Sequence, residues 1–337
     1  MASLRTGILD ASHRVKLCGI DGKDVSVPIL ACGTWSWGDK SLWSYDDKKD
    51  FTNVEEAWTS LNESGIGFYD TAEVYGKGES ERIIGKLLKR TPEEQRSKII
   101  IASKWLPVPI LHGRWIPGGG IEGALRKTLK RLEVDSIDLY QVHSAWTYFY
   151  SFETIAKSLA DCVKKGLTKT IGVSNYSKEQ MLTMRDALKK YNIPLASNQI
   201  EFSLARTYPL SSGLIQACHD NEIVPLAYSP LAMGRLTGKY SSENPPPSNR
   251  RFGNVSIESL ESLLGVMRTI AENHKVSCSA VALNYVMVKG CIPLSGAKNV
   301  KQAKQNAQAL GWRLTEEEIK QLEEHQKIGG TSLWQHG

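Results

Sequence analysis

No Cys-x-x-Cys pair occurs in this chain of 337 residues. Its six cysteines (Cys18, Cys32, Cys162, Cys218, Cys278 and Cys291) lie far apart, with no histidine at zinc-ligand spacing. That pattern argues against a disulfide-stapled scaffold or a structural zinc module; it reads as reduced, mostly buried thiols, and no metal is expected. Long hydrophobic runs are missing as well. No stretch approaches the roughly 18 apolar residues of a membrane span, and no apolar leader core stands near the start. A cytoplasmic protein that does not bind membranes is therefore expected. Charge of one sign is nowhere concentrated: 42 Lys and Arg against 36 Asp and Glu leave a net charge of +6. Even Lys48-Lys49 is flanked by Asp46, Asp47 and Asp50, so no nucleic-acid partner is expected. Low-complexity tracts, internal repeats and composition shifts are absent too, which favours a single domain over residues 1–337.

What is present is alternation. The 41% hydrophobic content leaves ample material for a core, and it is dealt out in short apolar runs separated by amphipathic stretches. Arg14–Cys18 and Asp24–Val27 around Asp21-Gly22 predict a β-hairpin. The runs Ile29–Gly33, Gly67–Tyr69, Ile99–Ser103, Ile137–Val142, Thr170–Val173, Ser197–Phe202, Ile223–Ala227 and Cys291–Leu294 read as strands. Helical periodicity marks Asn53–Ser64, Glu79–Lys89, Glu122–Arg131, Thr154–Lys165, Lys178–Tyr191, Leu214–Asn221 and Ser279–Val288. A further helix begins near Asn299, and a last one covers Thr315–Lys327, where Thr315 and Glu318 have capping-box spacing. Eight strands with helical crossovers predict a (β/α)8 TIM barrel with an N-terminal hairpin and an extra C-terminal helix. Two segments interrupt the alternation. Pro107–Gly120 carries His112 and Trp115, and Ser241–Asn254 carries three prolines with Arg250 and Arg251. Both follow strands, which makes them candidate walls of a site.

Asp70, Lys104 and His143 each sit at or just beyond the end of a separate apolar run, and Tyr75 follows Asp70 by five positions. Strand ends that deliver complementary polar groups build the active sites of parallel barrels. Carbonyl reduction needs a proton on oxygen. A phenol beside an ammonium can exchange it, because the cation stabilises the phenolate. A carboxylate fixes the ammonium, and an imidazole orients the carbonyl oxygen. Tyr75, Lys104, Asp70 and His143 fill those roles in turn.

These residues resemble the aldo-keto reductase family. Gly67-Phe68-Tyr69-Asp70-Thr71-Ala72-Glu73-Val74-Tyr75 matches its aspartate–tyrosine motif, Ala102-Ser103-Lys104 its lysine motif, and Asp138 to His143 its histidine motif. The likeness runs from about Val27 to Gln326. It implies a barrel enzyme that interconverts carbonyls and alcohols, usually with NADPH and without metal. Under this resemblance Ser174, Asn175 and Gln199 would face the nicotinamide carboxamide. Tyr228 in Tyr228-Ser229-Pro230-Leu231 would stack on the nicotinamide ring, with Ser229 and Leu231 beside the cofactor. Gly234, Arg235 and Lys239 resemble the segment that covers the pyrophosphate. Ser295, Gly296 and Lys298 precede a helix, and a hydroxyl and an ammonium at a helix N-terminus suit an anion. The resemblance gives Ser295 and Lys298 to the adenosine 2′-phosphate, and Gln302 and Asn306 to the adenosine. By contrast, Gly118-Gly119-Gly120-Ile121-Glu122-Gly123 matches G-x-G-x-x-G but follows a loop rather than a strand, so it is expected to lead into a helix and not to bind dinucleotide.

Aromatics cluster after three strands. Trp35, Trp37, Trp105, Trp115 and Trp146 suggest a pocket for an aromatic or hydrophobic carbonyl, with Tyr148, Phe149 and Tyr150 nearby. The stretch Gly33-Thr34-Trp35-Ser36-Trp37-Gly38 looks like one in family members that include pyridoxal reductases, which makes pyridoxal a candidate. The alternative is a redox-sensing, cofactor-binding subunit that acts through a protein partner, like the family's potassium-channel β-subunits.

Overall fold

The hairpin forms where Asp21-Gly22 predicts it. In the computed structural model, which describes residues 7–108, 120–146, 150–248, 255–332 and 337, β1 (Arg14–Leu17) and β2 (Val25–Pro28) pair antiparallel. Asp21 and Gly22 take left-handed φ values of 51° and 70°, a conformation that this dipeptide tolerates well. Val15, Leu17, Val25 and Val27 alternate inward and are buried.

Eight strands follow, all parallel and paired in chain order. They are β3 (Cys32–Gly33), β4 (Phe68–Asp70), β5 (Ile100–Trp105), β6 (Ile137–Val142), β7 (Thr168–Ser174), β8 (Leu195–Glu201), β9 (Val224–Tyr228) and β10 (Ile292–Pro293). A parallel bridge between Ala31 and Leu294 joins the first and last of them. The Ala31 N–H donates to the Pro293 carbonyl at 3.0 Å, and the Ser295 N–H to the Ala31 carbonyl at 2.9 Å. The sheet thus closes into the expected barrel. β6 has the expected bounds. β5 runs on through Lys104 to Trp105, so Lys104 lies within its strand and not beyond it.

The helices are α1 (Asp47–Glu63), α2 (Glu79–Arg90), α3 (Glu93–Arg96), α4 (Ile121–Leu132), α5 (Phe152–Lys164), α6 (Lys178–Lys189), α7 (Tyr208–Ser211), α8 (Leu214–Asp220), α9 (Glu261–His274), α10 (Cys278–Val288), α11 (Val300–Ala307) and α12 (Glu316–His325). Side chains fix several of their starts. Asn299 accepts from the Gln302 N–H, while Ser177 with Gln180 and Thr315 with Glu318 form reciprocal capping boxes. Gly120, at φ 69°, caps α4, so the last glycine of that run leads into a helix. The helix α9 goes beyond the sequence expectation, burying Leu263, Leu264, Met267, Ile270 and Ala271. All six cysteines are free thiols, four of them buried. Among the described residues no helix is long and apolar enough to cross a membrane. His112, Trp115, Gly118, Gly119, Tyr148, Phe149, Arg250 and Arg251 lie outside the described residues.

Candidate active site

Adjacent strand ends converge on one buried carboxylate. Asp70 closes β4, and the fully buried Lys104 reaches it from β5 with Nζ 2.5 Å from Asp70 Oδ1. The same ammonium donates to the Thr71 carbonyl at 2.8 Å and to the Tyr75 hydroxyl at 3.2 Å. Two amides, Gln141 Nε2 from β6 and Gln199 Nε2 from β8, donate to Asp70 Oδ2 at 2.9 Å each. Gln141 received no role from its motif, yet it stands two residues before His143, on the same strand face by the two-residue period. That parity was the available signal. Gly172 of β7 pairs in register with Gln141. A methyl group at Gly172 would lie 2.3 Å from Ser197 Oγ and 3.0 Å from Gln141 Cγ, so the glycine makes room for the amide.

Tyr75 opens a 3₁₀ turn, Tyr75–Gly78, in which Gly76, Lys77 and Gly78 are all left-handed (φ 56°, 57° and 85°). Trp35 stacks on the Tyr75 ring with centroids 6.0 Å apart, and the His143 ring meets it edge-on at 5.9 Å. Burial raises the Tyr75 pKa above its ordinary 10; the Lys104 charge pulls it down but does not prevail, and Asp70 adds to the rise. The lowering by Lys104 expected above is thus present but outweighed. Burial also opposes the charge on Lys104, but Asp70 and Tyr75 overcome it and hold the ammonium above its ordinary 10.5. Burial, with the Lys104 charge beside it, pushes His143 well below 6.5, so its imidazole is neutral. His143 Nδ1 is buried without a hydrogen-bond partner among the described residues.

The residues expected to hold a cofactor line the tops of β7 to β10. Asn175, left-handed at φ 64°, donates through Nδ2 to the His143 carbonyl at 3.0 Å and accepts the Tyr228 hydroxyl at 2.8 Å. Ser174 Oγ donates to the Gln199 carbonyl at 3.0 Å. The chain after β9 bends repeatedly through left-handed residues, with Ser229, Ala232, Met233, Gly234 and Gly238 at φ 51°, 47°, 54°, 95° and 78°. Such a run persists only where its surroundings impose it. It starts beside the half-buried Leu231, buries Arg235 and leaves Lys239 exposed next to Gly234.

After β10, Ser295 is 1% exposed and its hydroxyl has no hydrogen-bond partner among the described residues. Lys298 Nζ lies 5.7 Å from the Trp43 ring centroid, and Trp43 packs edge-on against Trp35 at 6.0 Å. Gln302 Oε1 accepts the Lys298 N–H at 2.8 Å, and Asn306 Nδ2 donates to the Gly296 carbonyl at 3.2 Å. These two side chains therefore shape the loop that carries Gly296 and Lys298. An orphaned buried hydroxyl, an ammonium and the start of α11 together fit a phosphate group.

Two of the expected pocket walls are core residues instead. Trp37 is fully buried against Trp58 and Tyr69, and its indole N–H donates to the Ala297 carbonyl at 2.8 Å. Trp105 is also fully buried, 5.9 Å from Tyr150. It follows the inward-facing Lys104, so strand alternation turns it outward to the helices. Trp35 and Trp146 are half-buried, and of these Trp35 stands against Tyr75.

A parallel barrel with a carboxylate, an ammonium, a phenol and an imidazole gathered at its strand ends defines a barrel enzyme equipped for proton transfer. Comparison with known proteins narrows the class. The sequence model of the Aldo/keto reductase family matches residues 29–327, and the chain belongs to that family of oxidoreductases. It is 33% identical over 323 residues to a chloroplastic pyridoxal reductase of Arabidopsis thaliana, a span covering 93% of this chain and 87% of the relative. Among solved structures, a glycerol dehydrogenase from Gluconobacter oxydans superposes with a TM-score of 0.78 at 26% identity, covering 95% of this chain and 97% of that one. An aldo-keto reductase from Klebsiella pneumoniae, solved in complex with NADPH, shares the fold with a TM-score of 0.71 at 21% identity, covering 96% and 98% of the two chains.

Proposed function

We propose that this chain reduces a small aldehyde or ketone, aromatic or otherwise hydrophobic, to the alcohol with NADPH, and that Tyr75 gives the proton. The observation that carries the reading is the position of Lys104, whose ammonium touches both Asp70 and the Tyr75 hydroxyl inside the barrel. NADPH would supply hydride to the carbonyl carbon. Tyr75, protonated at neutral pH, donates to the carbonyl oxygen, and Lys104 stabilises the phenolate left behind. Asp70, held by Gln141 and Gln199, keeps Lys104 placed and charged. Neutral His143 orients the oxygen.

The nicotinamide end falls to Ser174, Asn175, Gln199 and Tyr228, and the pyrophosphate to Gly234, Arg235 and Lys239 with Ser229 and Leu231 alongside. Ser295, Gly296 and Lys298 at the α11 N-terminus, shaped by Gln302 and Asn306, favour the extra phosphate of NADPH over NADH. Pyridoxal is the leading substrate candidate. The Arabidopsis relative supports it, and the Trp35 face beside Tyr75 offers a flat apolar wall to an aromatic ring.

The test follows NADPH and NADH oxidation by absorbance with pyridoxal and with other aromatic and aliphatic aldehydes and ketones, for the protein and for Tyr75→Phe. NADPH-preferring turnover is expected, with a loss of about 100-fold or more in the variant while cofactor binding persists. Full turnover in Tyr75→Phe would overturn the proton donor. Tight NADPH binding without turnover of any carbonyl would instead favour a sensing subunit that acts through a partner.

A further inference from the structure

An ion pair between a buried carboxylate and a half-buried guanidinium, which no step of the reaction uses, lies beneath the turn carrying Tyr75. Glu81, in the first turn of α2, is fully buried. Its Oε1 accepts the Ser103 hydroxyl at 2.6 Å and its Oε2 accepts Arg131 Nε from α4. Ser103 is the residue before Lys104, on the opposite face of β5. Arg131 also donates to Thr128 Oγ1 at 3.2 Å, and its stem presses on Gly78, the last residue of the Tyr75 turn. A methyl group at Gly78 would lie 2.8 Å from Arg131 Cδ and 2.9 Å from Nε. From the other side, a methyl group at Gly76 would lie 2.5 Å from the Gly38 carbonyl oxygen. The turn is therefore gripped on both sides, and it needs to be, because Lys77 is held in a left-handed conformation that costs a side-chain-bearing residue energy. A pair with one buried and one half-buried member adds little net stability, so its use here is sought in geometry.

We propose that Glu81 and Arg131 are positioning residues for the reaction. Through Gly78 they fix the turn that carries Tyr75, and through Ser103 they fix the strand position of Lys104. The hydroxyl–ammonium contact on which the proton donor depends is thereby set from outside the barrel. This inference rests on Tyr75 being that donor.

The experiment compares Ser103→Ala, Glu81→Gln, Arg131→Lys and Arg131→Ala with Tyr75→Phe, each checked for folding by circular dichroism and thermal melting. A misplacement of the order of 1 Å lowers kcat by about 10- to 100-fold, and that loss is expected in Glu81→Gln and Arg131→Lys with KM for NADPH unchanged. Two further readouts separate positioning from mere support. Added guanidinium ion is expected to restore part of the kcat of Arg131→Ala. The alkaline limb of the reduction profile is expected to move up in pH as Lys104 loosens its hold on the phenol. Folded variants with lower melting temperatures but full kcat and an unmoved profile would overturn the inference. Should Arg131→Ala fail to fold, Ser103→Ala, which removes a single hydroxyl, carries the same comparison with a smaller kcat loss expected. Loss of turnover in Tyr75→Phe alone would overturn the positioning role and leave the proton donor standing. Turnover retained in Tyr75→Phe would instead remove the donor itself.

Discussion

Tyr75 carries two opposed influences, and their balance sets the pH behaviour of the site. The proposed reduction needs the phenol protonated. Burial holds its pKa above 10 against the pull of Lys104, so the donor form persists through neutral and mildly alkaline pH, and the alkaline fall in reduction lies above 10. His143 adds no inflection near 6.5, because burial keeps its imidazole neutral well below that pH. Asp70→Asn probes the balance. It removes an upward push on Tyr75 and the carboxylate that sustains the Lys104 charge against burial. While Lys104 keeps its charge, losing the Asp70 push lowers the Tyr75 pKa, and reduction ends at a lower pH. A profile of kcat/KM against pH should show the alkaline limb shifted down and the plateau lowered by about 100-fold. An unmoved limb would mean that Asp70 does not govern the pair. Of the four residues proposed to react, Asp70, Lys104 and His143 were legible because each puts a charge or polar ring at or just past the end of an apolar run, and Tyr75 because of its fixed spacing from Asp70. Gln141 was not, because an amide in a strand carries no charge to mark it. Trp37 and Trp105 misled because an aromatic after a strand reveals its size but not its direction.

At the scale of elements, the proposed cofactor track depends on where helices start and where chain turns are strained. β6 and the Thr315–Glu318 cap were read correctly, since turn chemistry and capping residues act locally. α9 escaped although its apolar residues recur at helical spacing; it follows a proline-rich segment, where the expectation of loop prevailed. The left-handed run from Ser229 to Gly238 was invisible too, because apart from the two glycines nothing in Ser229, Ala232 or Met233 asks for that conformation. The loop ahead of α11 gives the sharpest test at this scale. Lys298→Ala removes the ammonium that would meet a 2′-phosphate, and Ser295→Ala removes the buried hydroxyl without a partner. Each charged contact of this kind contributes about 1.5–3 kcal/mol, so the Kd for NADPH should rise about tenfold or more in Lys298→Ala while that for NADH stays level. Titration of both cofactors by fluorescence decides it. Equal weakening of both would place the phosphate elsewhere.

Along the barrel axis the whole molecule separates the proposed site from the hairpin. Asp70, Tyr75, Lys104, His143 and the left-handed loops gather at the C-terminal ends of the strands, where side chains from different strands meet. At the opposite end the hairpin lies across the barrel. Cys18, next after β1, lines a concavity of about 380 Å³ with Leu195 at the start of β8 and Glu222 just ahead of β9. Leu17 is fully buried there, opposite Val25 across the hairpin. The length of the strands stands between that layer and the residues around Asp70. Leu17→Ala should therefore leave kcat and both cofactor affinities unchanged while costing about 2–5 kcal/mol of stability, the range for a leucine truncated in a core. Urea unfolding measures the loss, and steady-state rates well below the transition measure the chemistry. A fall in kcat of the folded variant would show that the two ends are coupled, and that the hairpin helps to set the site and does not merely close the barrel.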